Sequence, residues 1–252
     1  MTERKVATTF QRLGSVLSTA KQGLGQLLQF LDHNEAARSH AVADWAKTLE
    51  PGATLVDIGA GSCKYAPYFS HCKYTPQDSP EAEYASPTIP LLRSDISAIP
   101  LPSGSVDAIL CTEVLEHVEQ PLDALSEFAR LLKPGGRLLL SVPAACRVHR
   151  VPTHYYGGFA PDFFERSLPA RGLDLERLQP VGNWSQFMAQ EIGRLPSLVR
   201  DHTSLPRPVA TAIAAGIWPI FRVAIPTAFL ALSHLDRSED LPLGWIAYAR
   251  RA

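Results

Sequence analysis

This chain has no excess charge of either sign: 24 lysines and arginines stand against 25 aspartates and glutamates, a formal net charge of −1. No global field therefore favours nucleic acid, and no basic stripe interleaved with aromatics appears. Cysteine is sparse. Cys63, Cys72, Cys111 and Cys146 show no Cys-x-x-Cys spacing, which points to free thiols of a reducing cytosol and away from disulfides or a zinc site. No metal ligand set is expected. The N-terminus lacks the apolar core and small-residue cleavage site of a secretory signal, and no internal repeat stands out. The remaining composition, 46% hydrophobic and 19% charged over 252 residues, suits one α/β domain with appendages.

The most informative stretch is Leu55-Val56-Asp57-Ile58-Gly59-Ala60-Gly61-Ser62-Cys63. An apolar run ends in an acid and a tight Gly-x-Gly turn, as when a parallel strand delivers a nucleotide-like ligand to a helix start. A dinucleotide site would want a third glycine at position 64, where this chain has Lys64. Asp57 would also repel a pyrophosphate; it suits a ligand carrying a cationic amino group. Further acids follow in order. Lys73–Asp78 reads as a short strand, with Asp78 lying 78 − 57 = 21 residues beyond Asp57, near the spacing at which a carboxylate meets ribose hydroxyls. Asp95-Ile96 supplies a third acid, and Val106–Cys111 is a buried-strand run leading into Thr112-Glu113-Val114-Leu115-Glu116-His117-Val118. Pro134-Gly135-Gly136 then turns the chain into the apolar run Arg137–Val142.

This ordered set, with Ile99–Asp107 and Leu132–Gly136, resembles the class I S-adenosylmethionine-dependent methyltransferases, most closely the methyltransferase-type-11 group. The resemblance covers roughly residues 50 to 182. It implies S-adenosylmethionine as cofactor, with Asp57, Gly59, Ala60 and Gly61 at its methionine part and Asp78 on the ribose. Asp95 and Ile96 would meet the adenine edge, and Thr112 with Glu113 would line the pocket after the fourth strand. Cys63 stands where the family usually has glycine.

Beyond the fifth strand runs Val148-His149-Arg150-Val151-Pro152-Thr153-His154-Tyr155-Tyr156. Ligands of open α/β sheets sit outside the carboxyl ends of the strands, so this loop is expected to face the methyl acceptor through His149, Tyr155 and Tyr156. His154 and His117 are the candidate catalytic bases, because imidazole titrates nearest neutrality. His117 is expected in the helix after strand four.

Two segments flank the core. Phe10, Leu13, Val16, Leu17, Leu24, Leu27, Leu28 and Leu31 recur at helical spacing, so residues 1–50 read as an N-terminal helical cap. Residues 183–240 interrupt the fold before a closing strand in 241–252. They hold two uncharged runs, Pro208–Phe221 and Val223–Leu235, of 14 and 13 residues about Arg222. Neither reaches the ~20 residues of a spanning helix, and the expected form is a helical hairpin that packs, pairs with another copy or touches a membrane surface.

The fold expected is α/β: a Rossmann-like, seven-stranded, mostly parallel sheet with helices on both faces, the cofactor core spanning residues 51–182. The activity expected is methyl transfer to a small-molecule or glycan/lipid-linked acceptor, oxygen favoured, in the cytoplasm or peripherally at the inner membrane face. A homo-oligomer is compatible with it; a nucleic-acid partner is not. The rival reading is a non-catalytic S-adenosylmethionine-binding scaffold assembling through its apolar hairpin.

Overall fold

Strands buried on both faces must divide their side chains between two cores, and the apolar runs here do so residue by residue. The computed structural model describes residues 33–82 and 90–252. Among the described residues there are seven strands: β1 (Thr54–Ile58), β2 (Lys73–Asp78), β3 (Leu92–Arg93), β4 (Val106–Thr112), β5 (Leu132–Pro143), β6 (Leu173–Val181) and β7 (Gly244–Arg251). They form one sheet in the order β3-β2-β1-β4-β5-β7-β6. β7 runs antiparallel to both its neighbours, and the other pairings are parallel. Chain order reverses between β1 and β4, which opens a crevice at their carboxyl ends.

Ile109 and Cys111 of β4 and Leu138, Leu140 and Val142 of β5 belong to one core. Ala108, Leu110 and Leu139, with side chains alternating to the other face, belong to the second. Helix α2 (Pro121–Leu131) covers the first face with Ala124, Leu125, Phe128 and Leu131, a helical stripe that starts on a proline suited to the first turn. Helix α3 (Pro161–Ser167) adds Phe164 to that core. Helix α1 (His33–Ala46) covers the other face with Val42, Trp45 and Ala46. Of the expected N-terminal cap, residues 1–32 lie outside the described residues. At the start of β5, Leu132 pairs with Val106 and Arg137 with Ala108, so residues 133–136, which contain the Pro-Gly-Gly turn, loop out of register.

The insertion corrects the expected hairpin. Residues 208–235 do not form two arms about Arg222. Helix α6 (Arg207–Pro219) passes through a π-helical segment, Ile220–Ala224, into α7 (Ile225–Leu232), making one helix of 26 residues from Arg207 to Leu232. Pro226 lacks an amide and would crowd the carbonyl four residues back; the wider π turn absorbs that mismatch and lets the helix continue. The second arm is supplied by α4 (Trp184–Gly193) and α5 (Leu195–His202), which pack on α7 and α6. Arg222 donates to the Gly193 carbonyl at 3.4 Å, which turns the only charge of the bend inward.

A buried ion pair ties the segment after Asp95 to α2. The Glu127 carboxylate accepts from the Ile99 amide at 2.7 Å and holds Arg130, whose guanidinium donates to the Ile99 and Leu101 carbonyls. Removing it strands both partners. Glu127→Ala should lower unfolding free energy by about 1–3 kcal/mol with an unchanged denaturant slope, and Glu127→Gln by less; urea titration measures both.

Candidate cofactor and acceptor site

The turn after β1 needs left-handed backbone three times: φ is 69° at Gly59, 54° at Gly61 and 58° at Cys63. At Gly59 no side chain fits, since a Cβ would lie 2.3 Å from Val114 Cγ2. At Cys63 an L-residue adopts the conformation at about 1–2 kcal/mol, which is the physical reason for glycine at this place in the family. Burial pushes the Cys63 thiol pKa up, so this cysteine is not an activated nucleophile.

Two strands hold the turn. The amides of Gly59 and Ala60 donate to the Gln77 carbonyl at 2.8 and 3.0 Å. The Gly61 amide donates to Asp78 Oδ2 at 2.9 Å, and Asp78 Oδ1 accepts from the Ser79 amide at 2.8 Å. These two bonds leave lone pairs on Asp78 for ribose hydroxyls. Asp57 is buried and accepts from Tyr74 Oη at 2.5 Å. Burial pushes its carboxyl pKa up to about 7, with nearby Asp78 adding to the rise and the Tyr74 hydrogen bond opposing it.

The other expected cofactor residues stand along the same sheet edge. Asp95 lies two residues past Arg93, the partner of Asp78 between β3 and β2. Its exposed carboxylate accepts from the Ser97 amide and hydroxyl, both at 2.7 Å, which holds its pKa down. Ile96 packs half-buried on the core. Thr112 ends β4, and Glu113 follows it at φ 54°. Strain at Glu113 is maintained by three ties: its amide to the Ser141 carbonyl, its Oε1 to the Ser141 hydroxyl, and its Oε2 paired with Arg38 at 3.4 Å.

Beside this edge lies a cavity of about 570 Å³, bounded by Arg38 of α1, Glu113, Glu116 and His117 after β4, His149 and Arg150 after β5, and Arg194 after α4. His117 sits in a single 3-10 turn, Leu115–His117, and not in the expected helix. The loop after β5 folds back onto that turn: the amides of Tyr155 and Tyr156 both donate to the Glu116 carbonyl. Gly158 permits the fold-back, because a Cβ there would meet the Ala144 carbonyl oxygen at 2.1 Å.

That fold-back collects three histidines that sequence spacing left unrelated. Ring centroids of His117 and His149 are 4.6 Å apart, His149 and His154 4.8 Å, and His117 and His154 5.7 Å. Burial leads the lowering of the His117 pKa, so its imidazole is neutral at pH 7. Burial, with Glu113 close by, pushes the Glu116 carboxyl well above the usual range. The tyrosines differ from expectation. Tyr156 packs against Phe159 and donates to the Glu119 carbonyl at 3.0 Å, while Tyr155 points largely into solvent. Arg38, Glu116, Arg150 and Arg194 were not anticipated. Glu116 alone carried a signal, its place between Glu113 and His117.

A ligand ammonium over the turn needs Asp57 ionised, whereas burial favours its protonated form up to about pH 7. Any stability this group contributes is therefore full below the unfolded value near 3.8 and is lost as pH rises through 7. Binding has the opposite slope. Affinity for S-adenosylhomocysteine should fall as pH drops below 7, by up to about tenfold per unit, and Asp57→Asn should flatten the profile; calorimetry at pH 5.5 to 8 reads both.

Residues 56–140 match the methyltransferase domain family. An uncharacterized 37.1 kDa protein in transposon TN4556 of Streptomyces fradiae is 30% identical over 156 residues, 56% of this chain and 45% of that one. A ubiquinone biosynthesis O-methyltransferase of Xanthomonas oryzae is 44% identical over 63 residues, 23% of this chain and 26% of that one. The chain thus spans less than half the length of these two relatives. A putative methyltransferase from Bacillus halodurans shares the fold at a TM-score of 0.55 and 17% identity, over 84% of this chain and 97% of that one. The family match falls on β1, its glycine turn, both following acids and β4, about a third of the chain, and over that stretch the chain is similar to the methyltransferase domain family.

Proposed function

We propose that this chain transfers the methyl group of S-adenosylmethionine to a hydroxyl oxygen of a small-molecule or glycan/lipid-linked acceptor seated in the cavity beside the glycine turn. The observation that carries the choice of oxygen is the gathering of three imidazoles beside that cavity, with His117 and His149 on its wall. An amine acceptor needs little help, but a hydroxyl must lose its proton as it attacks. The acceptor oxygen forms a bond to the methyl carbon, the carbon–sulfur bond breaks, and its electron pair returns to sulfur. The hydroxyl proton passes to an imidazole nitrogen, with His154 or His117 as acceptor. Positioning in line supplies most of the remaining rate. The stretch shared with a ubiquinone biosynthesis O-methyltransferase supports the same choice.

S-adenosylhomocysteine should bind the purified chain, and Asp78→Ala should weaken that binding by about 1–3 kcal/mol through lost ribose hydrogen bonds. His154→Ala should lower turnover on hydroxyl acceptors while leaving cofactor affinity intact. Absence of binding to the unaltered chain would remove the reading, and equal loss of turnover and affinity in His154→Ala would remove that residue from the acceptor side.

We infer that the long helix works at a lipid surface, on the cytoplasmic face. Its most apolar 18-residue stretch has mean hydropathy 1.6 and is 11% buried. Val209, Ile213 and Ile220 are exposed at helical spacing along one face, and the bend's Arg222 faces α4. An apolar face of this length with a basic residue, Arg207, at its start suits the headgroup boundary of anionic lipid. The chain should float with vesicles containing phosphatidylglycerol, and changing Val209, Ile213 and Ile220 to Gln should abolish flotation. A dimer that ignores vesicles would make this face a protein contact, and a monomer that ignores them would end the proposal.

A further inference from the structure

Three imidazoles from two separated segments meet beside the cavity, His117 and His149 on its wall, and each has a nitrogen within 4.8 Å of the others. His117 donates its Nδ1 proton to the Thr153 carbonyl at 2.7 Å, and His149 donates its own to the Arg147 carbonyl at 2.8 Å. In both rings the tautomer is thereby fixed, and Nε2 presents a lone pair. Backbone carbonyls in this role are the usual outer support of metal-ligating histidines. His154 adds a third nitrogen. Its Nδ1 is buried and has no hydrogen-bond partner, and neither has Glu116 Oε2, on a carboxylate that is 1% exposed. Buried polar atoms left unpaired are unfavourable, and a cation would satisfy them.

We propose that His117, His149 and His154 form a binding site for a divalent transition-metal ion of zinc's class, open on its fourth side to the acceptor cavity. Three neutral imidazoles plus one exchangeable position is a donor set suited to zinc. Tetrahedral zinc at about 2.0–2.1 Å from each nitrogen needs nitrogens about 3.4 Å apart. Each ring must therefore move by less than about an ångström, and His149 lies on an exposed loop. Glu113 and Glu116 face the same cavity and counter the positive charge of the ion and of Arg150. The three histidines come from two segments about 30 residues apart and include no cysteine, so spacing along the sequence suggested no metal.

Metal binding stands apart from methyl transfer; its catalytic consequence rests on the reading of this cavity as the acceptor site. An acceptor hydroxyl on the fourth position would release its proton to solvent water near neutral pH, as metal-bound water does. The ion then does for the loaded site what a free imidazole does for the empty one.

The test uses the full chain and cobalt(II) as a spectroscopic probe, with zinc as competitor and S-adenosylhomocysteine binding measured in parallel. One cobalt per chain should bind with the visible spectrum of a tetrahedral nitrogen site and be displaced by zinc. His149→Ala and His154→Ala should each weaken binding at least tenfold, and His40→Ala, on the exposed face of α1, should not. S-adenosylhomocysteine affinity should be unchanged in all three, which reports an intact fold and separates this proposal from the cofactor reading. Cobalt that fails to bind, or that binds equally well to the His149 and His154 variants, would overturn the site.

Discussion

The contact between Gly59 and Val114 is the constraint on which both halves of the site depend. Gly59 sits in the left-handed turn after β1, and Val114 occupies the space its side chain would fill. The turn can therefore lie flat against the end of β4, with its amides spent on Gln77 and Asp78. Val114 also opens the 3-10 turn that carries Glu116 and His117. The glycine turn and the 3-10 turn thus meet at one valine. Their separation is fixed by packing, and packed interiors resist displacement of even a methyl group.

The cofactor half was legible because its signals are local. Alternating apolar runs marked β1, β4 and β5. The acids at 57, 78 and 95 come just before the sheet's carboxyl edge or just beyond it, and Lys64 excluded a third glycine. Cys63 was legible as an oddity, and its φ of 58° gives the reason. A residue with a side chain can occupy this place because the turn asks for left-handed backbone there without the close approach that Gly59 requires.

The acceptor half was not legible, and the reason is distance along the chain. His117 and His149 are joined only because the Tyr155 and Tyr156 amides reach back to the Glu116 carbonyl and because Gly158 lets the loop pass Ala144. Tyr156 looked like a ligand contact from sequence, yet its ring and hydroxyl are committed to Phe159 and Glu119. Arg38 gave no signal in an otherwise ordinary helix, and its role appears only once α1 lies over Glu113. The long helix was misread for another physical reason. Arg222 with flanking prolines reads as a break, but a π turn accommodates the proline and Gly193 accepts the charge.

The distribution of unfavourable features argues for where function resides. Among the described residues, a left-handed glutamate, a carboxylate oxygen without a partner and an imidazole nitrogen without a partner all fall between the ends of β4 and β5. Away from that region the buried Glu127 is paired by Arg130 and the Ile99 amide. Buried polar atoms left incomplete at one place among the described residues mark it as ready for a ligand that completes them. The two cores on either side of the sheet, and the tie from Glu127 to the segment beyond Asp95, supply the stability against which that local strain is kept.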